Sequence, residues 1–363
     1  MTTRSLTAAV ARRLIAGLCV VTALGGLYAP LQAADPGRTT GPEHAQDQAG
    51  AARPAAPACP PQARPLDGAQ MLTAMRNASD RGLLWRISRD RHDSYLYGTI
   101  HIGRPGWIAH GPTLQRVLRE TDVLALELDP TDTELARRMG QLTRSGDADS
   151  RGTLDDRQTA RLQRQIDVAC VPPAHMEALH PAVQVTALAS LAARHDGLDP
   201  AYGLEFILAG DARMRRRPVV SLETPELQLG VLLPADPAGS AAMVDEMLTQ
   251  LETGQLRRIL VRLAESWEAG RLADLEAYEA WCDCITSDDD RAQLRRLNDE
   301  RNPGLAAAID ALHSQGRRVF AAVGALHMTG PQGLPGLMAA RGYRVERVQY
   351  PQRTRNEPAA NLN

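Results

Sequence analysis

The chain has 363 residues, 44% of them hydrophobic, enough apolar material for one large α/β domain. Lysine and arginine total 41 against 43 aspartates and glutamates, so the chain lacks the strong positive field that nucleic-acid binding needs, and a peptide, protein or small-molecule partner is expected instead. Aromatics make up only 4%, with two phenylalanines, so the core must be built from Leu, Val, Ile and Ala.

The N-terminus reads as an address. Arg4, Arg12 and Arg13 precede an apolar run from Leu14 to Tyr28, and Leu31-Gln32-Ala33 offers a small-residue cleavage site. These features predict a signal peptide over 1–33, a periplasmic or secreted protein, and no membrane span after the signal is removed. The alternative is a retained anchor, for which the apolar run is short against a span of about 20 residues. Leu18 disfavours lipidation at Cys19. Residues 34–68, rich in Pro, Ala and Gly, are expected to be a disordered linker, 69–350 the folded domain, and 351–363 a flexible tail.

Removing Cys19 leaves Cys59, Cys170, Cys282 and Cys284, an even number suited to disulfides in an oxidising compartment. Only one residue separates Cys282 from Cys284, so a bridge between them is expected to be strained. The expectation is that one of them pairs with Cys170 and the other with Cys59. A Cys-x-Cys metal or redox site is the competing reading.

A short helix is predicted over Ala69–Asn77. A hairpin follows, with strands Leu83–Ser88 and Ser94–His101 about a polar turn at Arg89–Asp93. Helix Thr113–Glu120 and the apolar run Val123–Leu128 continue a strand–helix–strand alternation. Apolar residues three and four apart predict helices over Leu154–Val168, Pro181–Arg194, Leu204–Arg215, Ala241–Thr249 and Gln255–Ala269. The strand Pro218–Glu223 interrupts them. The C-terminal part supplies a charged helix Asp288–Glu300, helix Gly304–Gln315, strand Arg318–Gly324, helix Leu334–Arg341 and strand Tyr343–Val348. The expected fold is α/β, a mixed and largely parallel central sheet with flanking helices and a helical middle insertion. The likeness of Leu96–Ile102 to Ala322–Met328 raises an internal two-fold repeat as an option.

Those two stretches carry the chemistry, as Gly98–His101 and Gly324–His327. In open sheets the ligand crevice lies beyond the carboxyl ends of parallel strands. A strand-end glycine lets another group approach closely, and a histidine three residues on sits at the crevice mouth, where imidazole can bind a metal or move a proton. One such histidine is more often scaffold; two in matching contexts favour a shared site. Glu127 and Asp129 close one predicted strand, Glu223 closes another, and Glu205 opens a helix. Two imidazoles with carboxylates suit Mn, Co or Zn. For Glu205 the bland reading is macrodipole compensation, and for Glu223 the capping of a Thr224–Gln228 turn. Arg301 is a candidate clamp for a carboxylate or a developing negative charge, against a plain helix end with Asn302 as cap before Pro303. No His-Glu-x-x-His, Gly-x-Ser-x-Gly, P-loop or dinucleotide-binding glycine motif is present.

Taken in order, Leu84–Ile87, Tyr97–His101, Glu127–Asp129, Leu222–Gln228, Arg301–Pro303 and Val323–Gly330 resemble the TraB/GumN family over roughly Gly82 to Val348. That family includes bacterial pheromone-shutdown proteins and is related to the Tiki metalloproteases. The resemblance implies a metal-dependent hydrolase or protease, with Mn or Co as the metal in Tiki-like members. It also implies the mixed α/β architecture shared with erythromycin-esterase-like and haem-binding ChaN-like proteins. Carried over by position, His101 and His327 are metal ligands, Glu127 is a ligand or general base, and Arg301 is a charge stabiliser. Residues and resemblance together predict an exported metallohydrolase of peptides or proteins. In it Glu127 or Glu223 is the proton acceptor, Arg301 steadies the oxyanion, and His101, His327, Glu127 and Glu205 form the metal set. The rivals are a non-catalytic binder of haem, metal or peptide, and a scaffold that sequesters an envelope partner.

Overall fold

The computed structural model describes residues 58–144 and 154–351. The predicted signal peptide, all but the last part of the expected linker, and 352–363 of the expected tail lie outside the described residues. Six strands form one sheet: β1 (Leu83–Arg89), β2 (His92–Thr99), β3 (Val123–Leu126), β4 (Val219–Ser221), β5 (Val319–Gly324) and β6 (Arg344–Arg347), in the order β4-β3-β5-β2-β1-β6. The run β4-β3-β5-β2 is parallel throughout, while β1 is antiparallel to both β2 and β6. The mixed, largely parallel α/β sheet expected from the sequence is therefore the fold.

Composition explains which strands are central. Val-Leu-Ala-Leu of β3 is buried at every position, and so is β5 up to its terminal glycine. Strands covered on both faces read as continuous apolar runs, and these two are flanked by strands and helices on all sides. The helices between β3 and β4, and between β4 and β5, build a second apolar core. It gathers residues such as Leu162, Val183, Leu188, Val244 and Leu248, and the sheet side joins it through Leu128. Helix Pro181–Leu191 is the axis of that core, buried nearly all round and correspondingly free of charge. Among the described residues no helix is long and apolar enough to cross a membrane.

Several expectations need correction. The hairpin turn is tighter than Arg89–Asp93: Arg89 pairs with His92, leaving Asp90 and Arg91 as a two-residue connection with φ of 53° and 66°. Such left-handed pairs match the right-handed twist of the flanking strands, but the sequence lacks the Asn-Gly signal that usually announces them. The segment after Glu223 is not a turn but a helix, Pro225–Leu232, with Thr224 as its N-cap. Helix Thr133–Leu142 was not foreseen. The two Gly-x-x-His stretches lie on adjacent parallel strands, yet Thr99, not Gly98, faces Gly324. His101 then lies in a bend just beyond β2, while His327 sits in a 3-10 turn, Ala325–Met328. Their likeness is local.

The disulfides also differ from expectation. Cys59 pairs with Cys170 across a Cα–Cα distance of 5.7 Å, and Cys282 pairs with Cys284 across 5.0 Å. A turn at Asp283 brings the latter Cα atoms within ordinary bridging distance despite the single intervening residue. Both sulfurs are buried beside the Tyr278 hydroxyl, at 3.5 and 3.6 Å.

Arg91 is exposed and pays the left-handed penalty without compensation from a side-chain contact in the core. Arg91→Gly is expected to stabilise the fold by about 0.5 kcal/mol, the relief of roughly 1–2 kcal/mol less the freedom glycine adds to the unfolded chain. Arg91→Val is expected to destabilise it by about 1 kcal/mol. Urea denaturation midpoints of the three proteins check the order.

Candidate functional site

The four parallel strands end at one edge of the sheet, and each delivers a candidate residue there. The chain leaving β2 carries His101, β3 is followed by Glu127, β4 by Glu223, and β5 by Gly324 and His327. Helix Leu204–Met214 adds Glu205 from its first turn. Helix Asn302–Ser314 adds Asn302, and Arg301 is its N-cap. His101, Glu127, Glu205, Arg301, Asn302 and His327 are all buried. Every candidate proposed from the sequence thus reaches the same place, while Asp129 turns away to accept hydrogen bonds from Thr131 and Arg213.

The anionic half of the site is held by one guanidinium. Arg301 donates to Glu127 Oε2 at 2.5 Å, to both Glu223 oxygens, and to the Leu297 carbonyl. Gln228 Nε2 links the same two carboxylates, at 3.2 Å from Glu127 and 3.0 Å from Glu223. The other Glu127 oxygen accepts the Gly324 N–H at 2.7 Å. Burial opposes ionisation of Glu127, yet the charge of Arg301, ahead of the two imidazoles and the Gly324 N–H, holds its carboxyl far below the usual range. A clamped carboxylate of this kind is weakly basic, which favours a ligand over a proton acceptor. Arg301 is an anchor for carboxylates and not an idle helix end.

Each imidazole is oriented by a different partner. Asn302 Nδ2 donates to the Gln332 carbonyl at 2.8 Å, which leaves Oδ1 to accept from His327 Nδ1 at 2.7 Å. The proton of neutral His327 is thereby fixed on Nδ1. Burial pushes His327 down to about 3, against the pull of Glu127 and with the help of Arg301. Its Nε2 is buried with no hydrogen-bond partner and faces Glu127 Oε1 at 3.8 Å. Two acceptors therefore confront each other with no proton between them. On the other side, His101 Nδ1 lies 3.0 Å from Glu205 Oε1, at an angle too bent for a full hydrogen bond, and Thr99 donates to the same oxygen. Burial works against charge on His101, but the Glu205 carboxylate outweighs it and raises the pKa.

The two glycines do separate jobs. A Cβ on Gly98 would stand 3.0 Å from the Ala325 backbone, so its absence lets the 3-10 turn carrying His327 pack across β2. A Cβ on Gly324 would lie 3.4 Å from Glu127 Oε1, 3.6 Å from His101 Nε2 and 3.6 Å from His327 Cδ2. The imidazoles and the carboxylate thus converge on the space above Gly324. Oriented imidazoles with a lone pair free and a carboxylate between them have the donor chemistry of a divalent-metal site, with Glu205 and Asn302 as the groups that fix ring orientation. As the side chains stand, no group of three or more His, Cys, Asp or Glu among the described residues is gathered tightly enough to enclose an ion.

Sequence reasoning missed the parts of Asn302 and Gln228. Asn302 had been read as a cap, and Gln228 as part of a turn. The signal for Gln228 was its place one helical turn beyond Thr224, with Pro225 fixing the start of that helix.

The model of the TraB/PrgY/gumN family matches residues 83–347. An uncharacterised protein of Shigella flexneri, YbaP, is 28% identical over 253 residues, covering 69% of this chain and 88% of YbaP. No solved structure matches the chain.

Asn302→Leu is expected to leave His327 Nδ1–H and the Gln332 carbonyl without partners inside the protein, costing about 2–6 kcal/mol at roughly 1–3 kcal/mol per stranded group. Asn302→Asp, which keeps the acceptor for His327, should lose less. Equal losses in urea denaturation would show that the His327 contact contributes nothing.

Proposed function

We propose that this chain, which belongs to the TraB/PrgY/gumN family, is a metal-dependent hydrolase of peptides or proteins. The observation that carries the reading is the pair of facing acceptors, His327 Nε2 and Glu127 Oε1, with His101 Nε2 close to the same space. Three carboxylates, Glu127, Glu205 and Glu223, also surround this buried edge, and a cation there would offset the cost of burying them.

In this reading His101, His327 and Glu127 hold a divalent ion such as Mn, Co or Zn. Such an ion, when bound, polarises a scissile carbonyl and makes water a far stronger acid. Glu205 and Asn302 keep the two rings turned toward the site. Glu223, Gln228 and Arg301 hold Glu127 in place, and they are positioning residues. Both Glu223 oxygens accept from Arg301 or Gln228, which favours a positioning role for Glu223 over the proton acceptor that the sequence suggested. The guanidinium is likewise committed to carboxylates and not to an oxyanion. We further propose that the protein works outside the cytosol, as a periplasmic or secreted protein, a setting in which its two disulfides would persist.

Elemental analysis of the purified protein, after loading with Mn, Co or Zn and desalting, tests the metal. Wild type is expected to retain close to one ion per chain, and His101→Ala and His327→Ala are expected to retain none. Gly324→Ala is the more telling variant. Its backbone, φ −50° and ψ 139°, suits alanine, and the new methyl makes only ordinary contacts. It should fold with stability within about 0.5 kcal/mol of wild type while filling the space between His101 and Glu127. Metal content unchanged across all three variants would sink the proposal. Cleavage of an unfolded protein substrate by the loaded wild type, and not by the variants, is the expected activity.

A further inference from the structure

We infer that the cavity beside the two imidazoles is a subsite for a branched aliphatic side chain of the substrate, an inference that rests on the hydrolase reading above for the word substrate. The cavity measures about 40 Å³ and is walled by Ile100, Ile102, Leu260, Leu263, Trp267 and Leu275, with His101 and His327 in the same wall. Gly324 and Leu326 are the half-buried members of the lining and mark its mouth; the rest are buried.

Apart from the two imidazoles, the polar side chains of its lining donate to groups inside the protein. Thr99 Oγ1 donates to Glu205, Ser190 Oγ to the Ala187 carbonyl, Asn298 Nδ2 to the Leu294 carbonyl, and Trp267 Nε1 to the Gly98 carbonyl. A cavity whose unspent polar atoms are confined to the imidazole side is poorly hydrated over its aliphatic walls and gains there by taking up an apolar group. A water needs roughly 10–15 Å³, so the space holds about three such groups, the end of a leucine or valine side chain. A space of that size suits a short branched side chain better than the larger indole. Helix Gln255–Glu268, which leaves the middle insertion and returns to the sheet, supplies Leu260, Leu263 and Trp267. The subsite is therefore built into the fold beside the reacting edge, where a side chain next to the scissile bond would lie.

Binding of small capped amides to the full chain tests this without relying on turnover. N-acetyl-leucinamide and N-acetyl-valinamide are expected to bind at least about tenfold tighter than N-acetyl-glycinamide in ligand-detected NMR titrations. N-acetyl-tryptophanamide is expected to bind no better than the glycine compound. Leu263→Trp fills the cavity and should erase the preference. Leu326→Trp covers the mouth from a half-buried position, so it needs no repacking of the core if the first variant fails to fold. Equal affinities for the four amides, or a leucine preference that survives a folded cavity-blocking variant, overturn the subsite. Metal content measured on the same samples separates the two readings. Metal without aliphatic preference removes only the subsite, and aliphatic preference without metal removes only the hydrolase.

Discussion

A single guanidinium sets the geometry of the candidate site. Arg301 bridges Glu127 and Glu223, residues 174 and 78 positions away in the chain, and the side chains of all three are buried. Removing one member of a buried ion network leaves an uncompensated charge in a poor solvent, typically at about 3–5 kcal/mol. The network therefore behaves as a unit. It fastens the ends of β3 and β4 to the start of helix Asn302–Ser314, and the next residue of that helix aligns His327. Electrostatics and imidazole orientation are thus settled by two consecutive residues, Arg301 and Asn302.

The architecture was largely legible because the strands announce themselves. Val123–Leu126 and Val319–Val323 are unbroken apolar runs, and such runs belong at the centre of a parallel sheet. Once four strands are parallel, their carboxyl ends must share one edge, so residues placed just after each run meet there. That rule alone brought His101, Glu127, Glu223 and His327 together. Glu205 needed no more than its position in the first turn of a helix packed on β3.

What could not be read were contacts that depend on side-chain direction. Nothing local distinguishes Asn302 as a partner of His327 from Asn302 as a cap before Pro303. The same limit applied to Arg301, whose charge looked available to a substrate until its hydrogen bonds were seen to be spent on Glu127, Glu223 and the Leu297 carbonyl. Cys282 and Cys284 failed for another reason. Spacing along the chain is a poor guide to spacing in space when a turn intervenes, and Asp283 supplies one. At Asp90 and Arg91 the demand of strand twist overrode residue preference, so the hairpin closed where no glycine advertised it.

Strand order has a consequence for how the molecule comes into being. β5 joins β3 to β2, although some two hundred residues separate it from either. A nascent chain that has already emitted β1 to β4 holds a hairpin on one side and a parallel pair on the other, with nothing to connect them. Both halves expose open edges until the last eighth of the polypeptide arrives to fill the gap. Pairings so remote along the chain form slowly. Such a polypeptide stays loosely organised until late in synthesis, and the residues of the candidate site come together only after β5 is delivered.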